Sequence, residues 1–144
     1  TKIVEQWGIN IDKVTLYDGS GLSRTNRMTP LFLASVLRSA ALDWQTGDLF
    51  PTLLPRCGVD GTVRNLLKGT CLSGNIALKS GSMTGVRCYA GYYPAERPRY
   101  SVVLLTNNFH CTYEQLKSSI ERLMVGMFES YQDTIDKRQN TPQL

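Results

Sequence analysis

Residues 113–131 constrain the chain most. Tyr113, Leu116, Ile120, Leu123, Met124, Met127, Phe128 and Tyr131 recur at helical spacing and fall on one face. A helix that long with one apolar stripe must bury it against another element. Thr112 with Gln115 forms a capping box that sets its start. The surface it needs lies just upstream. Ile76–Lys79, Val86–Tyr93 and Tyr100–Thr106 are strand-like runs, joined by a glycine-rich stretch (81–85) and by PAERP. The last run, YSVVLLT, is nearly all apolar and reads as a central strand buried on both faces. Three consecutive antiparallel strands closed by a helix make an α+β layer. Strand residues facing away from that helix are also apolar. Either a helix at 30–43 or chain outside this sequence must cover them.

The first part of the chain is less regular. Ile3, Val4 and Trp7 form a helical stripe that ends at Gly8. TKIVEQWG reads as the last turns of a helix that lacks its beginning, which suggests a piece of a longer chain. Val14 and Leu16 suggest a short strand entering a loop. Thr29-Pro30 is an N-cap followed by proline at the first helical position. Leu31, Ala34, Leu37, Ala41 and Leu42 continue that helix to about residue 43. Gly58–Gly61 reads as a turn, with Val63, Leu66 and Leu67 in a short helix after it. The tail from Asp136 is polar and expected to fray.

Composition removes several classes of function. With 144 residues the chain suits one compact core. A net charge of +4, scattered in pairs such as Lys137-Arg138, does not make a nucleic-acid surface. Four cysteines without a Cys-x-x-Cys spacing, and His110 as the single histidine, argue against a metal site. No cofactor motif is present. Cys88 alternates with tyrosines and reads as a buried thiol; in an oxidising compartment disulfides would form, in a pairing that spacing does not reveal. No apolar run is long enough to span a membrane.

The chemistry concentrates in two short stretches. In Lys79-Ser80-Gly81-Ser82 a lysine at a strand end can offer charge to a carboxylate or help a serine lose its proton. The hydroxyls of Ser80 and Ser82 can hold a carboxylate, and Gly81 admits a ligand close to the backbone. The Ser82 amide can face a developing oxyanion. An ordinary strand ending in a Ser-Gly turn has the same letters. In YDGSGLSRTN, residues 17–26, a glycine-bent loop carries Arg24, whose planar fork suits a carboxylate. A solvated surface arginine is the plainer alternative.

Taken together, DGSGLSR, a proline-started helix, LPRCGVDGTVRN and a Lys-Ser-Gly strand running into AGY resemble the C-terminal part of the S13 penicillin-binding carboxypeptidases. These are D-alanyl-D-alanine carboxypeptidase/endopeptidases. The resemblance runs from about Ile3 to the last helix. It implies a partial penicillin-binding/β-lactamase-like transpeptidase fold. Three antiparallel strands and the closing helix come from this chain, and two further strands of the sheet come from an N-terminal part. It also implies that Lys79 is the lysine of the third family motif, with Ser80 in place of the commoner threonine. Ser82 corresponds to the residue whose amide forms half the oxyanion hole and whose hydroxyl helps hold the terminal carboxylate. Met83 corresponds to a residue lining the side-chain pocket. Arg24 corresponds to an arginine that binds the side-chain carboxylate of diaminopimelate in some members. Implied partners are peptidoglycan stem peptides, β-lactams and the N-terminal part of the same protein, in the periplasm or cell envelope.

One departure is decisive. No serine in the chain has a lysine three places later; Ser35 meets Arg38 and Ser119 meets Arg122. Arginine stays charged and cannot serve as the base. Ser73-Gly74-Asn75 fits the family's Ser-x-Asn in letters, but lies four residues before Lys79 instead of upstream of DGSGLSR. The expected nucleophile therefore lies outside these residues. Three readings follow: the C-terminal part of a serine carboxypeptidase, inactive alone; a non-catalytic module that binds cell-wall peptides; or a structural domain. A sheet short of two strands would expose an edge and pair with another chain or with itself.

Overall fold

The computed structural model describes residues 2–139, with side chains through Glu129. The elements in chain order are α1 (Lys2–Gln6), α2 (Pro30–Leu42), β1 (Ala77–Met83), β2 (Val86–Tyr93), β3 (Tyr100–Asn107) and α3 (Tyr113–Gln139), with 3₁₀ turns at Phe50–Leu53 and Gly61–Val63. The strands form one antiparallel sheet in the order β1-β2-β3. This is the expected α+β arrangement.

The helix starts follow the local chemistry. Thr29 Oγ1 accepts from the Phe32 N–H at 3.1 Å, and Pro30 opens α2. At α3 the Thr112 N–H donates to Gln115 Oε1 at 3.0 Å while the Gln115 N–H donates to Thr112 Oγ1 at 3.3 Å, the reciprocal capping box. Gly8 ends the first helix with φ +65°, a backbone angle that glycine adopts without strain.

The sheet is covered on both faces. Leu116, Ile120 and Met124 of α3 pack into one core with Leu78, Tyr89 and the loop residues Cys57, Leu67 and Ile76. Phe128 meets the Tyr93 ring at 4.3 Å between centroids. On the opposite face α2 packs over β3 and β2, and the Tyr92 hydroxyl donates to the Leu37 carbonyl at 2.7 Å. The helix at 30–43 thus provides the second cover. The buried stripe of α3 is narrower than its apolar pattern: Leu123 and Met127 are exposed at 52% and 60%. The backbone of α3 stays helical to Gln139, beyond the Asp136 at which a frayed tail is expected. The side chain of Tyr131 lies outside the described residues.

Three local expectations are corrected. Val14–Leu16 forms no strand; a single bridge joins Thr15 and Arg27. β1 continues through Gly81 to Met83, so Lys79 sits inside the strand, because β2 pairs with every residue to Met83. YSVVLLT is not central. β3 is the last strand of the sheet, and its apolar residues are half-buried.

Gly91 sets how closely β1 and β2 approach. A Cβ there would stand 2.0 Å from the Ala77 carbonyl oxygen, a backbone atom that cannot step aside.

Candidate active site

The outer edge of β1 is only half occupied. The Cys57 N–H donates to the Ile76 carbonyl at 2.9 Å, and the Leu78 N–H donates to the Pro55 carbonyl at 3.0 Å. Pro55–Cys57 therefore covers the first part of the edge. In an extended strand the N–H and C=O of alternate residues face the same side. Since Leu78 faces outward, Ser80 and Ser82 do too. At the open part of the edge the amide of Ser82 points away from β2, as an oxyanion donor would have to. Lys79 turns along this edge, its Nζ donating to the Ser80 carbonyl at 2.8 Å.

Ser80 is anchored from outside the strand. Its Oγ lies 2.7 Å from Thr62 Oγ1, in the turn Gly61–Val63. Gly81 is not required by packing, since a Cβ there would meet Cys88 Cβ at 3.7 Å, an ordinary contact. The glycine leaves open space at the edge.

The DGSGLSR loop faces the far end of the strand. Its ends are pinned by two hydrogen bonds, from Thr15 N–H to Arg27 O and from Arg27 N–H to Thr15 O, both 2.8 Å. Inside, Asp18 Oδ1 accepts from the Gly21 N–H at 2.9 Å and Oδ2 from the Ser23 N–H at 2.8 Å. Asn26 Nδ2 donates to Asp18 Oδ1 at 3.0 Å, and Asn26 Oδ1 accepts from the Tyr17 N–H at 2.8 Å. The hydrogen bond from Asn26, followed by those from the two amides, holds the Asp18 carboxyl below its ordinary pKa against the opposing effect of burial. Asp18 is thus the loop's organiser, and Arg24 sits in the turn it stabilises.

Between this loop and the strand lies a cleft of about 450 Å³, lined by Arg24, Gly81, Ser82 and Met83 together with Ser23, Asn26, Arg27, Met28, Cys88 and Asn107. Four of the six expected site residues meet there. Lys79 and Ser80 are on the same strand but do not line the cleft. Cys88, expected to be a buried thiol, is half-buried on its wall. Ser73-Gly74-Asn75 folds into a separate turn, with the Gly74 N–H on Cys57 O at 2.8 Å, and lines no part of the cleft. Thr62, Asn26, Arg27 and the Pro55 edge cover were not picked out from sequence. Asn26 and Thr62 sit within or beside the quoted motifs, but their partners are eight and eighteen residues away. Among the described residues no cluster of histidine, cysteine or acidic side chains could hold a metal ion.

The sequence pattern of the D-Ala-D-Ala carboxypeptidase 3 (S13) family matches residues 1–130, so this chain belongs to that family. It is 34% identical over 129 residues to D-alanyl-D-alanine carboxypeptidase DacB of Haemophilus influenzae, a match covering 88% of this chain and 26% of that protein. It is 31% identical over 106 residues to the D-alanyl-D-alanine carboxypeptidase of Actinomadura sp. strain R39, covering 69% of this chain and 19% of the relative. The fold superposes on crystalline penicillin binding protein 4 (dacB) from Haemophilus influenzae, complexed with a β-lactam, with a TM-score of 0.70 at 29% identity, over 86% of this chain and 31% of that one. The chain thus spans about a fifth to a quarter of the length of these curated relatives.

Proposed function

We propose that this chain is the C-terminal part of a serine-type D-Ala-D-Ala carboxypeptidase/endopeptidase domain and forms one wall of its active site. The open edge of β1 carries this reading: the Ser82 amide points outward from it, Gly81, Ser82 and Met83 line one cleft with the Arg24 loop, and Ser80 stands on the same strand beside that cleft, in a member of the S13 family. A peptide lying along that edge would present its penultimate carbonyl to the Ser82 amide and its terminal carboxylate to Lys79, Ser80 and Ser82. Met83 would line the side-chain pocket, and Gly81 would let the peptide approach.

The nucleophile belongs to residues outside this chain, since no serine here precedes a lysine by three places. In the assembled enzyme the serine oxygen attacks the D-Ala-D-Ala carbonyl, its proton passes to the leaving amine, and water then hydrolyses the acyl-enzyme. The partners are cell-wall stem peptides, β-lactams and the nucleophile-bearing part of the same protein, in the cell envelope. The absence of a Ser-x-x-Lys also suits a second reading, a non-catalytic module that binds the same peptides.

Intact mass after incubation with a reactive β-lactam separates the two. The enzyme reading expects no adduct on these 144 residues and a stoichiometric adduct on the longer gene product. An adduct on this chain would relocate the nucleophile, with Ser73 the first to map. Acylation of neither would leave the peptide-binding module.

A further inference from the structure

The Thr62 hydroxyl reaches Ser80 from the turn Gly61–Val63, which belongs to neither the sheet nor an α-helix. Its reach is set by the loop before it. Residues 55–63 touch β1 at two places. At one end the Pro55 carbonyl accepts from the Leu78 N–H at 3.0 Å, and the Cys57 N–H donates to the Ile76 carbonyl at 2.9 Å. At the other, Thr62 Oγ1 stands 2.7 Å from Ser80 Oγ. Between them lie Gly58 and Gly61, with φ +77° and +56°. Two glycines make a pliable connection. The spacing of the two contacts therefore depends on what closes the loop.

Asp60 closes it. Its Oδ1 accepts from the Arg56 N–H at 2.9 Å, and its own N–H donates to the Arg56 carbonyl at 3.1 Å. The Arg56 guanidinium is turned elsewhere, to Glu96 at 3.3 Å, so this carboxylate acts on the backbone and not as an ion-pair partner of Arg56. The Gly58 N–H on the Val63 carbonyl, at 3.1 Å, draws in the far side of the loop. Gly61 then sits so near Pro55 that a Cβ would come within 2.7 Å of the proline Cβ. Asp60 itself is exposed and outside the apolar core. Its removal leaves core packing untouched and acts on the alignment of the loop.

We propose that Asp60 is a positioning residue: by holding the Arg56 amide it sets the reach of Thr62 and so fixes the Ser80 hydroxyl at the open edge of β1. Its part in peptide binding rests on reading that edge as the D-Ala-D-Ala site. Ser80 is then held in place before a ligand arrives, and less freedom is lost on binding.

The test uses this chain, the probe N-acetyl-L-alanyl-D-alanyl-D-alanine, and two readouts. One is the Hα–Hβ coupling pattern of Ser80 in the free chain, which reports whether its side chain keeps one rotamer. The other is probe affinity, followed at the Ser80 and Ser82 amides. Asp60→Ala averages the Ser80 couplings and weakens the probe roughly threefold, with little change in the urea midpoint. Asp60→Asn keeps an acceptor oxygen in place and restores both readouts. Asp60→Glu keeps the charge but moves the oxygen by a methylene, and restores neither. Combined with Thr62→Val, Asp60→Ala costs nothing more, because both act through one contact. Independent, additive losses in that pair overturn the proposal, as does a loss in Asp60→Asn equal to that in Asp60→Ala. Ser80 couplings unchanged in Asp60→Ala also overturn it, whatever the probe does. If the probe moves neither amide in the native chain, the peptide reading fails, and the couplings alone decide whether Asp60 fixes Ser80. Should Asp60→Ala fail to fold, the contrast between the asparagine and glutamate variants decides: a native-like glutamate variant beside an impaired asparagine variant overturns the proposal.

Discussion

The hydroxyl of Thr62 lies 2.7 Å from that of Ser80, eighteen residues later in the chain. This contact ties the turn Gly61–Val63 to the strand carrying the lysine motif, and it gives the GVDGT stretch a physical task. Replacing Thr62 with valine removes the partner and frees the Ser80 hydroxyl to rotate. D-Ala-D-Ala probes should bind about fivefold more weakly, the equivalent of one ordinary net hydrogen bond. Thr62→Ser should restore binding. Titration of the three proteins with a single probe checks this.

Gly81 and Gly91 are the same residue type under different demands. A Cβ at Gly91 would collide with the Ala77 carbonyl oxygen, so Gly91→Ala must push β1 away from β2. The expected loss is about 3 kcal/mol or more. Gly81→Ala meets only Cys88 Cβ at contact distance. Its stability should stay within about 0.5 kcal/mol of the native chain, while the added methyl group obstructs a peptide at the open edge. Urea unfolding and a probe titration on both variants distinguish fold from site.

The Asp18 loop should respond to acid. Its carboxyl is held below the ordinary value, so the ordering it provides is complete above the unfolded pKa and is lost as pH falls through the lower folded one. At neutral pH the loop is intact. The amide resonances of Gly21 and Ser23 should therefore titrate together, with a midpoint below that of an unperturbed aspartate. Asp18→Ala should abolish that titration and weaken the binding of D-Ala-D-Ala probes at the cleft, though no residue lining it is changed.

Cys57 offers a test at the alkaline end. Burial pushes its thiol from 9.0 up to about 12. Between those values the native state keeps a proton that the unfolded chain releases, so stability falls as pH rises through that range. Tyr89 and Tyr92, each raised from 10.0 to about 12 by burial, act in the same direction. A thiol-reactive disulfide reagent should modify the exposed Cys71 and Cys111 first and reach Cys57 on unfolding. Prompt reaction of Cys57 in the native chain would contradict its burial.

The parts of the fold legible from sequence are those set by neighbours in the chain. Thr29-Pro30 and the Thr112/Gln115 box mark their helices because caps act over three residues. Features set by distant partners were harder to read. Ser80 and Gly81 are weak strand formers, yet they lie in β1 because Tyr89 and Cys88 pair with them. The apolar run of β3 reports on two covered faces but carries no sign of whether another strand lies beside it. Val14–Leu16 reduces to one bridge because its partner, Arg27, closes a loop and does not extend a ladder. At the site, the motif letters Lys79, Ser80, Ser82 and Arg24 stand out, while the groups that hold them, Thr62 and Asn26, act across loops.

The Pro55–Cys57 segment gives the edge of β1 a short reading frame. With the Ile76 carbonyl and the Leu78 N–H already paired, the outward N–H groups left on the edge are those of Ser80 and Ser82, and the Ser80 carbonyl is taken by Lys79. An extended peptide on a long bare edge can slide by two residues and still find partners. Here a slip of that size would leave it with one residue to pair. On the proposed reading the end of the peptide is thereby held in a single alignment, and the short edge reinforces the contacts that Lys79, Ser80 and Ser82 make with its terminal carboxylate.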